Sequence, residues 1–157
     1  MSSISMRTEA EQLRWLVDRA EITDLLARFA QATDDKDFTT LAACFAADGV
    51  IVAPFRHNHI KQDEIATAVE EILEPFEVTQ HFVGRFIIDI DGDQATARHT
   101  VIATHVHRTA ESGRHADIGG TYYTSFRRLA EGWRLTSLDL RFAFSDGIPF
   151  APGGTTD

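Results

Sequence analysis

The sequence predicts an α+β fold in which N-terminal helices cover one face of a curled, mainly antiparallel sheet. Two contrasts carry this expectation. Up to Leu73 the apolar residues recur mostly at helical spacing, whereas from Val78 onward long β-type segments are separated by turn signals. The length of 157 residues, with 43% hydrophobic content, suits one domain over 1–157 with a substantial core.

Between Glu9 and Asp37 there is neither proline nor glycine, so the segment reads as helical. Its first apolar stripe (Leu13, Leu16, Val17, Ala20) is out of phase with the second (Ile22, Leu25, Leu26, Phe29, Thr33), which predicts a break. Asp18-Arg19-Ala20-Glu21 has the D-x-x-E form of a capping box at that point. A leading helix within 1–17 and a main helix over 19–34 follow from this. A short helix over 38–46 is predicted by Phe38, Leu41, Ala42 and Phe45, and Gly49–Phe55 reads as a strand. Helical spacing returns over Gln62–Leu73 through Ile65, Val69 and Ile72, with Pro75 just beyond.

Four strands complete the chain. Phe82–Ile90 runs into Asp91-Gly92-Asp93, a D-G hairpin signal, and then Ala95–Arg108. Glu111-Ser112-Gly113 precedes Ile118–Leu129, and Glu131-Gly132 leads into Trp133–Phe144. The tail over 145–157 is rich in glycine and proline.

Composition excludes several partner classes. Twenty-four acidic against 15 basic residues give a net charge of -9, which repels nucleic acid and anionic membranes. There is no apolar run long enough to span a bilayer and no secretion signal, so a cytoplasmic location is expected. Cys44 is the only cysteine and forms neither an intrachain disulfide nor a thiolate metal cluster.

Acid–base chemistry concentrates in three places: Asp34-Asp35 at the end of the main helix, His81, and the strand carrying His99, His105 and His107. At about 100° per residue, Asp34 lies beside the Leu26–Phe29–Thr33 stripe and Asp35 points away, so Asp34 is the inward carboxylate. Strand alternation puts His81 on one side with Val83 and Ile87. On the next strand Val101, Ala103, His105 and His107 share a side that is apolar until it reaches the histidines, the pattern of a pocket floor. The bland readings are a solvated helix end for the aspartates and a satisfied core imidazole for His81. The pairs His57/His59 and His105/His107 have metal-like spacing, yet no third ligand accompanies either, so no metal is assigned.

The order of a helix ending in Asp, then TQHFVG, a D-G-D hairpin, GGTYYTSF and GW resembles the SnoaL-like superfamily of the nuclear transport factor two fold, over about Asp18 to Trp133. IGGTY at Ile118–Tyr122, Gly132-Trp133 and Gly147–Gly154 are similar to cofactor-free lyases of the scytalone dehydratase and hexachlorocyclohexane dehydrochlorinase type. The resemblance implies a cone with an internal pocket, a catalytic dyad on Asp34 and His81, and a second catalytic histidine at His105. Tyr122 becomes a pocket-lining aromatic, and the tyrosine that such dehydratases often carry one turn before the Asp is replaced by Phe29. Phe29, Val101, Tyr122 and Phe150 are the expected substrate contacts.

The function expected is a lyase or isomerase that needs no cofactor. It would remove water or halide, or shift an allylic proton, in a small hydrophobic molecule that is cyclic or polyketide- or terpenoid-like. Asp34 orients His81 as base, and His105 acts as acid or polarises a carbonyl. A non-catalytic ligand-binding module and an accessory subunit of the same fold remain the alternatives. A homo-oligomer, trimer or dimer, is expected because Phe82, Phe86 and Ile88 alternate with Val83 and Ile87, leaving apolar residues on both sides of one strand. The tail, through Ile148 and Phe150, is expected beside the pocket mouth.

Overall fold

Residues 8–52, 59–108 and 115–147 are described by the computed structural model. They form helices α1 (Glu9–Asp34), α2 (Phe38–Ala43) and α3 (Gln62–Leu73). The strands are β1 (Phe45–Val52), β2 (Ile60–Lys61), β3 (Phe76–Asp91), β4 (Gln94–His107), β5 (His115–Leu129) and β6 (Gly132–Asp146). One six-stranded sheet runs β2-β1-β6-β5-β4-β3. All neighbours are antiparallel except β1, which joins β6 in parallel. The α+β class, with N-terminal helices packed on a curled sheet, is the architecture observed.

The expected break in the first helix does not occur. α1 is continuous over 26 residues, and its capping box is made by Thr8 and Glu11 rather than by Asp18. Asp18 is instead buried in mid-helix, where Arg128 grips it through Nη1 at 2.5 Å and Nη2 at 2.7 Å. Trp133 adds an Nε1–H donor at 3.3 Å. The change of phase therefore marks a tertiary contact, while Leu13, Leu16 and Val17 stay exposed on the opposite face. The second helix also ends earlier than expected, at Ala43, because Phe45 is drawn into β1 and packs edge-on to Phe29.

β3 carries the second correction. Arg85 adopts φ 56°, and the register with β4 shifts between Gly84 and Ile87. This bulge reverses the alternation, since one extra residue moves every later side chain to the other face. Val83 stays on the His81 side, but Ile88 is buried and Ile87 is exposed, so Ile87 does not share the His81 face.

Two devices shape the sheet. Gly92, at φ 59°, makes the tight β3–β4 turn. The adjacent glycines of β5 admit close neighbours: a side chain at Gly119 would strike the Phe144 ring, and one at Gly120 would lie 2.5 Å from the Arg141 carbonyl oxygen. The β5–β6 register shifts between these two residues.

The concave face holds the core. Phe76, Ile65, Leu41 and Leu135 are fully enclosed between the sheet and helices, and each such side chain contributes roughly 1.5–3 kcal/mol. The convex face bears an apolar row. Phe82 pairs with Ile102, Ile102 with Gly119 and Gly119 with Phe144, and the three side chains are 74%, 50% and 54% exposed. Among the described residues no helix is long and apolar enough to cross a membrane.

Candidate active site

Asp34 is the last residue of α1, where the helix dipole disfavours a negative charge and donors must come from elsewhere. The chain supplies them by doubling back. Lys36 takes a left-handed φ of 57°, and its ammonium donates to the Phe76 carbonyl, which tethers the start of β3 beside the helix end. β3 then delivers donors in succession. Asp34 Oδ1 faces His81 Nδ1 at 2.6 Å and accepts from the Thr79 hydroxyl at 3.0 Å. Oδ2 accepts from the His81 backbone N–H at 2.8 Å and from Gln80 Nε2 at 3.3 Å. Burial pushes the Asp34 pKa upward, but the His81 ring and backbone donors, the His81 charge and the Thr79 hydroxyl outweigh it and hold the carboxyl below its usual value. Asp35, one residue on, is exposed and accepts from Gln31.

Beside this pair lies a cavity of about 90 Å³. α3 walls one side with Val69, Ile72 and Leu73, and the strands add Ile118, Leu138 and Leu140. Its polar lining is Thr33, His81, His105 and Tyr122. A carboxylate only accepts hydrogen bonds, so the neutral His81 carries its proton on Nδ1 and its Nε2 bears the lone pair. A wider groove of about 870 Å³ passes Trp15, Arg19 and Phe86, and no imidazole lines it among the described residues.

His105 is buried with its ring edge-on to His81, centroids 5.3 Å apart. Its Nδ1 lies 3.3 Å from the Ala116 carbonyl oxygen and donates to it. Burial first, then the His81 charge, lower its pKa to about 4. A neutral imidazole whose one proton goes to a carbonyl is an acceptor at Nε2. His107 is half-buried against Phe76 and lies off the cavity lining.

Of the expected substrate contacts, Phe29 and Tyr122 line the cavity and meet edge-to-face at 6.4 Å. Val101 is fully buried on the same face as His105 but in the core rather than on the cavity wall. Phe150, Ile148 and the rest of the tail after Gly147 lie outside the described residues, as does His57. Among the described residues no group of three or more His, Cys, Asp or Glu is placed to hold a metal.

The family model for the SnoaL-like domain matches residues 14–139, which span the helix, the dyad and the meander. The chain belongs to the SnoaL-like family. An uncharacterized protein of Mycobacterium tuberculosis is 30% identical over 125 residues, covering 75% of this chain and 80% of that protein. Among solved structures, one described as a scytalone dehydratase from Novosphingobium aromaticivorans superposes with a TM-score of 0.79 at 20% identity, covering 90% of this chain and 97% of that one. A hexachlorocyclohexane dehydrochlorinase from Novosphingobium barchaimii gives 0.75 at 18% identity, covering 89% and 98%. At these identities the two structures establish a common fold.

Thr79 and the α3 wall of this SnoaL-like cavity were not singled out from the sequence. Thr79 was within reach, since it precedes His81 by two residues on a strand and so shares its face. His99 is the other unassigned imidazole. It is buried between Phe86 and Tyr122, with ring centroids at 5.4 and 5.1 Å, and its Nδ1 has no hydrogen-bond partner among the described residues. Burial depresses its pKa from 6.5 to about 4. Because the unfolded imidazole binds its proton first, stability is complete above pH 6.5 and falls as the pH drops from there to about 4, by up to roughly 3 kcal/mol for such an imidazole. His99→Phe is expected to remove this share, so that urea unfolding at pH 4.5 and pH 7 differs less in the variant than in the parent. An unchanged difference would show that His99 is not an acid-labile point.

Proposed function

We propose that the chain is a cofactor-free lyase or isomerase acting on a small, largely apolar molecule, with Asp34–His81 as its general base. The observation that carries this reading is the 2.6 Å contact between His81 Nδ1 and Asp34 beside an apolar cavity. Asp34 fixes the tautomer and balances the imidazolium that forms when Nε2 takes a proton from carbon. Loss of water, loss of halide and an allylic proton shift all begin with that step. The shared fold of the scytalone dehydratase-like and dehydrochlorinase structures supports the same chemistry. Small cyclic and polyketide- or terpenoid-like compounds fit the cavity's apolar walls.

The test is a panel of small alcohols, halides and unsaturated ketones incubated with purified protein, without added cofactor and with EDTA. Turnover of one of these classes, unaffected by EDTA and lost in a His81 variant, is the expected result. Turnover that depends on returning a metal, or none across the panel, would overturn the reading.

We also infer that copies associate through the convex face, where the Phe82–Ile102–Phe144 row is exposed among the described residues. Light scattering at micromolar concentration is expected to report a trimer or dimer, and Phe82→Lys is expected to shift it towards monomer. A monomeric parent protein would rule this out.

A further inference from the structure

β3 is the last strand at one end of the sheet, and a strand in that place turns a row of main-chain groups away from its one neighbour. α1 covers the first part of this edge. Lys36 donates to the Phe76 carbonyl, Asp34 accepts from the His81 N–H, and Arg19 Nη2 donates to the Phe86 carbonyl at 3.2 Å. Beyond Phe86 the cover stops. In an antiparallel ladder the N–H and C=O of one residue point the same way and successive residues point oppositely, so Ile88 and Ile90 face the open edge as Phe86 does, while Ile87 and Asp89 bond to β4. The hairpin agrees, because its two-residue turn bonds Asp91 to Gln94 and so turns Asp91 towards β4. Among the described residues no hydrogen bond from another element reaches Ile88 or Ile90.

The wide groove runs along this stretch. Every residue of β3 from Phe86 to Asp91 lines it, so it reaches both sides of the edge, and it shares no lining residue with the cavity beside the dyad. Its two sides differ in chemistry. Ile88 and Ile90 lie on the concave side, where Trp15 and Arg19 of α1 also line the groove. Asp89 and Asp91 lie on the other, exposed and without an ion pair among the described residues.

We propose that this edge binds an extended segment of another protein, one in which apolar and basic residues alternate, as a seventh strand beside the six of the sheet. Added antiparallel to β3, the segment exchanges main-chain bonds with Ile88 and Ile90. The residues that make those bonds stand over the apolar concave side, and those next to them stand opposite Asp89 and Asp91, where a basic side chain is favoured. The chain's net charge of -9 attracts such a segment at long range. A second copy is disfavoured, because pairing Ile88 of each copy with Ile90 of the other would set Asp89 directly against its counterpart.

The probe is acetyl-Lys-Val-Lys-Val-Thr-amide, which places lysines opposite Asp91 and Asp89 and valines opposite Ile90 and Ile88. Binding to the parent protein is expected to change the fluorescence of Trp15 in the groove. It is also expected to slow amide hydrogen exchange at Ile88 and Ile90, which is fast without the peptide, whereas Ile87 and Asp89 exchange slowly throughout. N-methylation of both valines keeps the side chains but removes the donors, and is expected to weaken binding at least about tenfold. The counterpart acetyl-Glu-Val-Glu-Val-Thr-amide is expected to bind the parent worse than the lysine peptide does, and to bind Asp89→Lys/Asp91→Lys better. No binding of the lysine peptide, equal affinity for its N-methylated form, or exchange at Ile88 and Ile90 that the peptide leaves unchanged would overturn the proposal. Slow exchange there without peptide would do the same, since another part of the chain or a second copy would then hold the edge. None of these measurements depends on the function proposed for Asp34 and His81.

Discussion

Replacing His81 by glutamine is expected to lower kcat/KM by about 10²–10⁴-fold on the substrate class that the panel identifies, the usual cost of losing a general base. Glutamine keeps a polar group of similar reach but has no basic nitrogen. The fall is expected mainly in kcat, because the cavity's apolar walls are untouched and continue to bind the ligand. Asp34→Asn is expected to approach the same loss by another route. The amide has one acceptor oxygen where four donors converge from Thr79, Gln80, the His81 backbone N–H and the His81 ring Nδ1. Its NH2 must then face a donor, or the His81 ring must switch tautomer and bury its lone pair towards residue 34. Steady-state kinetics of both variants, with circular dichroism to confirm folding, checks this. A His81 variant with parental kcat would remove the proposed mechanism.

Asp18→Ala is expected to destabilise the fold by about 3–5 kcal/mol, since it strands a guanidinium whose partner has been removed. Arg128 lies over the Trp133 ring at 4.4 Å, and its Nε reaches Asp93 at 2.9 Å. Asp93 is exposed and cannot replace the bidentate Asp18 contact. Asp18→Leu combined with Arg128→Met is expected to cost less than Asp18→Ala, because no unpaired charge remains. Urea denaturation at neutral pH measures both, and a loss below about 1 kcal/mol for Asp18→Ala would refute the assignment. Hydrogen bonds from Arg128 oppose burial, and with Trp133 and the neighbouring charges hold the Asp18 carboxyl below its ordinary 3.8. The pair's contribution is therefore present above that pH and lost as the pH falls through the lower folded value, so the gap between parent and variant closes only in strong acid.

How much of this was legible in advance follows from which signals are local. Helical phase distinguished Asp34 from Asp35 because a 100° step is a property of the backbone alone. Strand alternation put His105 and His107 on one side of β4, of which His105 lines the cavity, and α3 was bounded as observed, Gln62–Leu73, by a regular stripe closing at Pro75. The D-G signal placed the β3–β4 turn. Each is decided by neighbours within a few residues.

What stayed hidden depends on partners distant in the chain. Asp18 reads locally as a cap, and only Arg128, 110 residues away, turns it into a buried mid-helix anchor. The bulge at Arg85 moved Ile87 outward, since one backbone angle resets the parity of every residue after it. The same holds for the chemistry of the site. The sequence by itself singled out Asp34, His81 and the His105/His107 side of one strand as candidates, and the family resemblance added Tyr122, but a histidine's tautomer is set by the atom its ring nitrogen meets. The Ala116 carbonyl, reached across the β4–β5 ladder, makes His105 an acceptor at Nε2, and the Asp34 carboxylate, reached from the end of α1, holds the His81 proton on Nδ1 and leaves the lone pair on Nε2.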